Sequence, residues 1–123
     1  MPKVVYNKCY GGYGLSGEAV RKYCAIKGIT VFTEVRPWCN IYHLTPPEDR
    51  TGDWERDQTF EPYDIPRHDP VLVQVVEELG SAANGSSASL AIDDSNTGLA
   101  YRIREHDGYE TVEWIGDEWT VAI

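Results

Sequence analysis

The spacing of apolar residues is clearest between residues 70 and 79, where it predicts a helix. Apolar side chains recur at the i, i+3, i+4 and i+7 positions of one helical face, namely Leu72, Val75, Val76 and Leu79. Asp69 is a favourable N-cap, and Pro70 suits the first helical position because its φ is already set. The helix ends either at Gly80 or at the Asn84-Gly85 pair, since both are typical terminators.

A second helix is predicted nearer the start of the chain, over residues 17–27. Ser16 is a good N-cap, and Glu18 places a negative charge in the first turn, where the helix dipole favours it. Gly28 is a natural stop. The stripe that this helix would bury consists of Ala19, Val20, Tyr23, Cys24 and Ile26.

Short strands are predicted over most of the remaining chain. The β-branched or alternating runs are residues 3–7, 29–35, 39–43, 89–93, 99–105, 109–114 and 119–123. Asp107-Gly108 is a hairpin turn signal between two of these runs. Because only two helices interrupt the strands, the pattern favours an antiparallel sheet over a parallel βαβ series. We therefore expect an α+β fold, an antiparallel sheet with two helices packed on it, in a single domain over residues 1–123.

Residues 45–66 have a different character and predict a long polar loop or an insertion. They contain Pro46-Pro47 and Gly52, and eight charged residues lie between residues 48 and 61. Trp54, Phe60 and Tyr63 are the side chains that could anchor this segment to the body. Loops of this length are uncommon inside compact domains and are often functional.

Charge and cysteine content narrow the class of protein. The 123 residues include 11 Lys and Arg against 20 Asp and Glu, a formal charge of −9. Phosphate backbones are bound by cationic surfaces, so no direct nucleic-acid binding is expected. No apolar run approaches the roughly 20 residues of a membrane helix, and the first residues do not form a signal peptide. Three cysteines, an odd count, favour reduced thiols in a cytoplasm.

The sequence carries no strong signature of a metal site or a nucleophile. Zinc sites usually have paired ligands at local spacing, and only Cys39 and His43 are spaced in that way. The histidines are not accompanied by a nucleophile motif. We therefore predict no catalytic residue, no metal and no cofactor.

The glycine-rich stretch at residues 11–14 lies between a predicted strand and a predicted helix. Backbone N–H groups in such a position can hold an anion, but the stretch matches neither G-x-G-x-x-G nor a P-loop. A tight structural turn is the favoured interpretation, and anion binding is the alternative.

The arginines offer a second candidate for ligand binding. Arg102 and Arg104 are two residues apart on a predicted strand, so they project from the same face. They could pair across the hairpin with Glu110 or Glu113, which is the favoured interpretation. Alternatively, they could form a bidentate phosphate clamp, with a tyrosine such as Tyr10 stacking on a base.

Five short segments together resemble a widespread set of small proteins of tailed bacteriophages. These segments are residues 4–16 (VVYNKCYGGYGLS), residues 66–70 and 75–80 (PRHDP and VVEELG), residues 83–85 (ANG) and residues 104–108 (REHDG). Within that set the pattern is most similar to anti-defence sponge proteins of the Thoeris antagonist type. The resemblance implies a protein of the host cytoplasm that binds a nucleotide-derived immune signal, a cyclic ADP-ribose type or a cyclic oligonucleotide. Such a protein withholds the signal from its effector without cleaving it.

The resemblance also implies a homo-oligomer with pockets formed between chains. Asn84, Arg104 and Asp107 would carry polar contacts to the ligand, and Arg67 would be a second phosphate contact. With Arg102 and Tyr10, these residues make up the predicted ligand-binding set.

A competing hypothesis is that the chain is an acidic inhibitor that imitates nucleic acid. One face would then occupy the basic groove of a CRISPR effector or another host defence nuclease. The carboxylates that would carry this function are Glu105, Asp107, Glu110, Glu113, Asp117 and Glu118. A small enzyme acting on nucleotides is the least supported alternative.

Overall fold

The computed structural model describes residues 3–37, 39–53, 58–94 and 100–114. Over these ranges the elements are β1 (Val4–Asn7), α1 (Gly17–Lys27), β2 (Phe32–Val35), β3 (Asn40–His43), β4 (Thr59–Phe60), α2 (Pro70–Leu79), β5 (Leu90–Asp93), β6 (Tyr101–His106) and β7 (Tyr109–Trp114). Short 3₁₀ turns cover Pro47–Asp49, Pro62–Asp64 and Gly80–Ala83. Helices combined with antiparallel strands confirm the predicted α+β class.

Helix α1 occupies the predicted residues because both of its caps act as expected. The Ser16 hydroxyl accepts a hydrogen bond from the Ala19 N–H at 3.1 Å. At the other end Gly28 has a φ of +74°, in the left-handed region that favours glycine.

Helix α2 begins at the predicted cap and is followed by a 3₁₀ turn. One carboxylate oxygen of Asp69 accepts from the Val71 N–H at 2.8 Å, and the other accepts from the Tyr23 hydroxyl at 2.7 Å. Asp69 therefore caps α2 and also ties it to α1. The α-helix ends before Gly80, and the 3₁₀ turn ends before Asn84, so both predicted terminators are used in succession.

The strands are divided among three small antiparallel sheets, ordered β1-β5, β2-β3-β4 and β6-β7. The β6–β7 hairpin turns at Asp107 and Gly108, as predicted. Strand β2 begins at Phe32 rather than at residue 29, because the Ile29 N–H bonds to the Cys24 carbonyl and continues the end of α1. Residue 99 and the predicted strand 119–123 lie outside the described residues.

The segment predicted to be a long polar loop also contributes to a sheet. Strand β4 pairs with β3, with Phe60 opposite Tyr42. The ring of Phe60 lies 6.0 Å from that of Tyr23, centroid to centroid, so Phe60 anchors the segment to the core as expected. Trp54 lies outside the described residues. Pairing with β3 places Thr59 and Phe60 directly beside His43 and Tyr42.

The hydrophobic core lies where α1 and α2 pack against each other and against β1. Burial of apolar side chains at this junction is the main driving force for the fold. Fully or almost fully buried residues there are Val5, Ala19, Val20, Cys24, Leu72 and Val75.

The Asp69 cap predicts a specific response to acid. Burial alone would raise the pKa of Asp69, but the hydrogen bonds from Tyr23 and Val71 and the charge of Lys27 outweigh it, so the pKa lies below its ordinary value. A carboxylate with a lowered pKa stabilises the fold above its unfolded pKa of about 3.9, and this contribution is lost as the pH falls through the folded pKa. In urea titrations below about pH 4, the Asp69→Asn variant should lose less unfolding free energy than the wild type.

The exposed Asp64 provides the control for this experiment. Asp64→Asn removes a carboxylate from an exposed side chain of a 3₁₀ turn, so it measures how much of any change comes from the loss of one acidic group alone. Equal acid dependence in wild type and Asp69→Asn would show that the cap does not titrate as described.

Candidate functional site

A cavity of about 780 Å³ lies between the start of α1 and the β2–β3 hairpin. Its walls come from four stretches of chain: residues 11–17, residues 36–42 apart from residue 38, residues 60–63 and residues 84–87. Ligand sites for small molecules are typically concave, with volumes of roughly 300–1,000 Å³. This cavity is therefore of a suitable size for a nucleotide.

The glycine-rich stretch forms one wall of the cavity because it packs closely against residues 84–87. A Cβ on Gly11 would collide with the backbone carbonyl of Ser87, and one on Gly85 would lie 2.8 Å from the carbonyl carbon of Gly14. Backbones this close leave no space for side chains. Close packing of the two backbones therefore accounts for the glycines at positions 11 and 85.

Aromatic rings supply much of the cavity wall. Tyr13, Tyr42, Phe60 and Tyr63 line it. Tyr63 is 69% exposed, and its ring meets that of Tyr13 edge to face at 6.2 Å. Burial raises the pKa of Tyr13 to about 12, so its hydroxyl is neutral at physiological pH. Exposed rings of this kind can stack on a planar ligand.

Several polar side chains line the same cavity. Arg36 is exposed and paired with Glu34, and the hydrogen bond from Arg36 is the main cause of a lowered pKa at Glu34. The Asn84 side-chain oxygen accepts from the Leu90 N–H at 2.9 Å, which fixes the orientation of that amide. Asn40 and Glu61 also contribute to the wall.

Arg21, to which no pattern in the sequence drew attention, lies beside Gly17 and Asn40 of the cavity wall but does not itself line the cavity. Its Nη1 atom is 3.0 Å from the point where a Cβ of Gly17 would lie, and the side-chain nitrogen of Asn40 is equally close to that point. The i, i+4 spacing of Gly17 and Arg21 on α1 was the available signal. This spacing gave no indication that Asn40, which lies on β3, would be close to Gly17 and Arg21.

Arg67 has its guanidinium directed at a carboxylate of the chain. Its two terminal nitrogens donate to the two oxygens of Glu110 at 2.6 and 2.9 Å, and its central carbon lies 3.3 Å from the ring centroid of Tyr13. The side chains of Arg67 and Glu110 are 19% and 7% exposed. Arg67 does not line the cavity. We assign it a structural role rather than a phosphate contact.

Arg102 and Arg104 pair across the hairpin. They donate to the two oxygens of Glu113 at 2.7 and 3.0 Å, and these hydrogen bonds lower the pKa of Glu113. The structure thus shows the cross-strand interpretation, with Glu113 as the shared acid. Neither arginine lines the cavity.

Asp107 and Tyr10 also lie away from the cavity wall. Asp107 has a φ of +51° in the β6–β7 turn, and its side chain is 81% exposed. Tyr10 packs its exposed ring at 5.2 Å from that of Tyr109. Of the predicted ligand-binding set, Asn84 is the residue that the structure places in the cavity.

Comparison of the chain with protein-family models, with curated proteins and with solved structures finds no match. The resemblance to phage anti-defence proteins therefore stays a prediction. The geometry and chemistry of the site determine what it can bind.

Possible metal ligands, cysteines and long apolar helices are the other features of the described residues that bear on function. No group of three or more His, Cys, Asp or Glu side chains in these ranges could hold a metal ion. Cys9, Cys24 and Cys39 are free thiols. No helix within the same ranges combines the length and apolar character needed to cross a membrane.

Arg67 is largely buried and Arg104 is exposed, so their removal should lower the free energy of unfolding by different amounts. Arg67→Ala should lower the free energy of unfolding by about 3–5 kcal/mol, because it leaves the buried Glu110 carboxylate without its cation. Arg104→Ala, at an exposed pair whose acid keeps Arg102, should cost less than about 1 kcal/mol. Urea denaturation of both variants measures these values, and equal small losses would contradict the structural role of Arg67.

Proposed function

We propose that the protein binds a nucleotide-derived signal molecule in this cavity and withholds it from its effector without cleaving it. The ligand class is the one that the resemblance to anti-defence sponge proteins implies, a cyclic ADP-ribose type or a cyclic oligonucleotide. The observation that carries the proposal is the 780 Å³ cavity whose wall combines aromatic rings with Arg36 and two asparagine amides.

The chemistry of the wall suits the parts of a nucleotide. Tyr63 presents an exposed ring on which a base can stack, since every base has a π-face. Asn40 and Asn84 can exchange hydrogen bonds with a base edge or with ribose hydroxyls. Arg36 adds a planar cation suited to a phosphate. These groups recognise a ligand without requiring a proton-transfer residue.

The packing of the wall suits tight binding at equilibrium. Binding is weakened when loops must be ordered on contact with the ligand. Here the glycine-rich stretch is already held against residues 84–87 by close backbone contact and by the Gly85 N–H, which donates to the Gly14 carbonyl at 2.9 Å. The wall therefore needs little further ordering.

The acidic-inhibitor hypothesis is less well supported by the hairpin. Glu110 and Glu113, two of the carboxylates on which it depends, are paired with arginines. Asp117 and Glu118 lie outside the described residues. We therefore favour a small-molecule ligand.

The proposal predicts that Arg36→Ala and Tyr63→Ala each weaken binding of ADP-ribose or its cyclic form by roughly tenfold. Both side chains are exposed, so both variants should keep the melting temperature of the wild type. Isothermal titration calorimetry measures the affinities, and native mass spectrometry of the purified chain detects carried nucleotide and the oligomeric state.

Arg104→Ala is the matched control for Arg36→Ala. Both arginines are exposed and paired with a glutamate, but only Arg36 lines the cavity. Arg104→Ala should therefore bind as the wild type does. If no cyclic nucleotide or ADP-ribose derivative gives heat with the wild type, the proposed function fails.

A further inference from the structure

We propose that Glu34 and His43 are positioning residues, which hold Arg36 with its two terminal nitrogens available for a phosphate group of the ligand. Neither Glu34 nor His43 lines the cavity, so both act through Arg36 rather than by touching the ligand. The inference deepens the proposed function and rests on it. It names the group of the nucleotide that Arg36 recognises and the residues that prepare this contact.

Arg36 is the cation that the cavity presents to a ligand. Among the residues that the structure describes, it is the one Lys or Arg in the cavity wall, since Arg21 lies beside the wall without lining it. The Arg36 backbone N–H donates to the Cys39 carbonyl at 2.9 Å and so closes the β2–β3 hairpin. The backbone from which the guanidinium extends is therefore fixed.

The guanidinium of Arg36 is bonded to Glu34 through one nitrogen. Its Nε donates to Oε2 of Glu34, and within the ranges that the structure describes no hydrogen bond uses either terminal nitrogen. The terminal nitrogens carry four N–H groups in one plane, which suit two oxygens of a phosphate. Arg67 shows the opposite arrangement, because Glu110 takes both of its terminal nitrogens. Glu34 can therefore hold Arg36 while Arg36 binds a phosphate.

Glu34 is itself held by His43. The His43 Nε2 atom lies 2.9 Å from Oε1 of Glu34, the oxygen that Arg36 does not use. The register places Glu34 opposite Ile41, and residues two apart on a strand share a face, so the three side chains lie on one face of the hairpin. The hydrogen bonds from Arg36 and His43 lower the pKa of Glu34, so the carboxylate that joins them stays charged.

The burial of His43 determines which ring nitrogen carries the hydrogen. The side chain is 12% exposed, and its Nδ1 atom is buried with no hydrogen-bond partner in the described part of the chain. A hydrogen on Nδ1 would be buried without an acceptor, which is costly, so the ring carries its hydrogen on Nε2 and donates it to Glu34. An arginine held in this way does not have to be ordered when the ligand arrives.

Isothermal titration calorimetry with ADP-ribose, adenosine and inorganic pyrophosphate tests the positioning role. Glu34→Ala removes the shared carboxylate, and His43→Leu removes the donor behind it. His43→Gln is the conservative variant, because its amide N–H can replace the Nε2–H. Glu113→Ala is the matched control, since Glu113 also joins two donors and carries the same charge but does not line the cavity. Thermal unfolding by circular dichroism shows that each variant is folded before titration.

Glu34→Ala and His43→Leu should bind ADP-ribose roughly threefold to tenfold more weakly than the wild type, the effect of ordering one long side chain on binding. His43→Gln should restore the wild-type affinity. Glu113→Ala should bind ADP-ribose no more weakly than the wild type. The affinity for adenosine should be the same in all variants, because adenosine has no phosphate.

A double variant tests whether His43 acts through Arg36. His43→Leu should weaken ADP-ribose binding in the wild-type background and should have no further effect in the Arg36→Ala background, because residues that act as one unit are not additive. Additive losses, or a loss of adenosine affinity in His43→Leu, would show that His43 supports the cavity in another way and would overturn its positioning role.

Failure of the positioning role is distinguishable from failure of the proposed function. If Glu34→Ala binds ADP-ribose as tightly as the wild type or more tightly, Glu34 does not position Arg36, while the cavity remains a nucleotide site. If the wild type binds neither ADP-ribose nor adenosine, the proposed function is contradicted and pyrophosphate decides the positioning role. Pyrophosphate binding that is weakened in Glu34→Ala but not in Glu113→Ala then supports it, and no pyrophosphate binding overturns it.

Discussion

The way in which the segments of this molecule pack together depends on one buried polar network, formed by Asn7, Arg67 and Glu110. The Asn7 backbone N–H donates to Glu110 at 2.9 Å, beside the paired nitrogens of Arg67. The fully buried Asn7 side chain donates to Cys9 and Gly108 carbonyls at 2.9 and 2.8 Å and accepts from the Ser89 N–H at 2.8 Å. A buried charge or amide is costly unless all its partners are present, so these segments come together in one arrangement.

This network determines where the cavity wall can lie. It holds the end of β1 against the β6–β7 hairpin, and the glycine-rich stretch leaves from that point. Tyr13, in the middle of the stretch, is covered by the Arg67 guanidinium on one side and lines the cavity. Three residues later, Ser16 caps α1 and sets the position of Gly17. A polar contact outside the cavity therefore positions two parts of its wall.

The helices could be predicted from the sequence because their signals are local. Ser16, Gly28 and Asp69 act within one turn of their own helix, and apolar periodicity needs no knowledge of distant residues. The cavity could not be predicted in this way, since Tyr13, Asn40 and Tyr63 meet only after three stretches of chain pack together. The same limit applied to the arginines. The period of a strand placed Arg102 and Arg104 on one face, but the register of the hairpin chose Glu113 as their partner.

The net charge of −9 does not decide whether this protein can hold an anion. At physiological ionic strength the Debye length is about 8 Å, so acids on distant faces contribute little at the cavity. Local ion pairing has more influence on anion binding, because guanidinium nitrogens already bonded to a carboxylate must give up that carboxylate before they can bind the ligand. Glu113 holds two arginines at the hairpin, whereas Arg21 stands beside Asn40 with no acid bonded to it in the described residues. Binding of a small anionic ligand therefore depends on where an unpaired cation lies, and less on how many cations the chain carries.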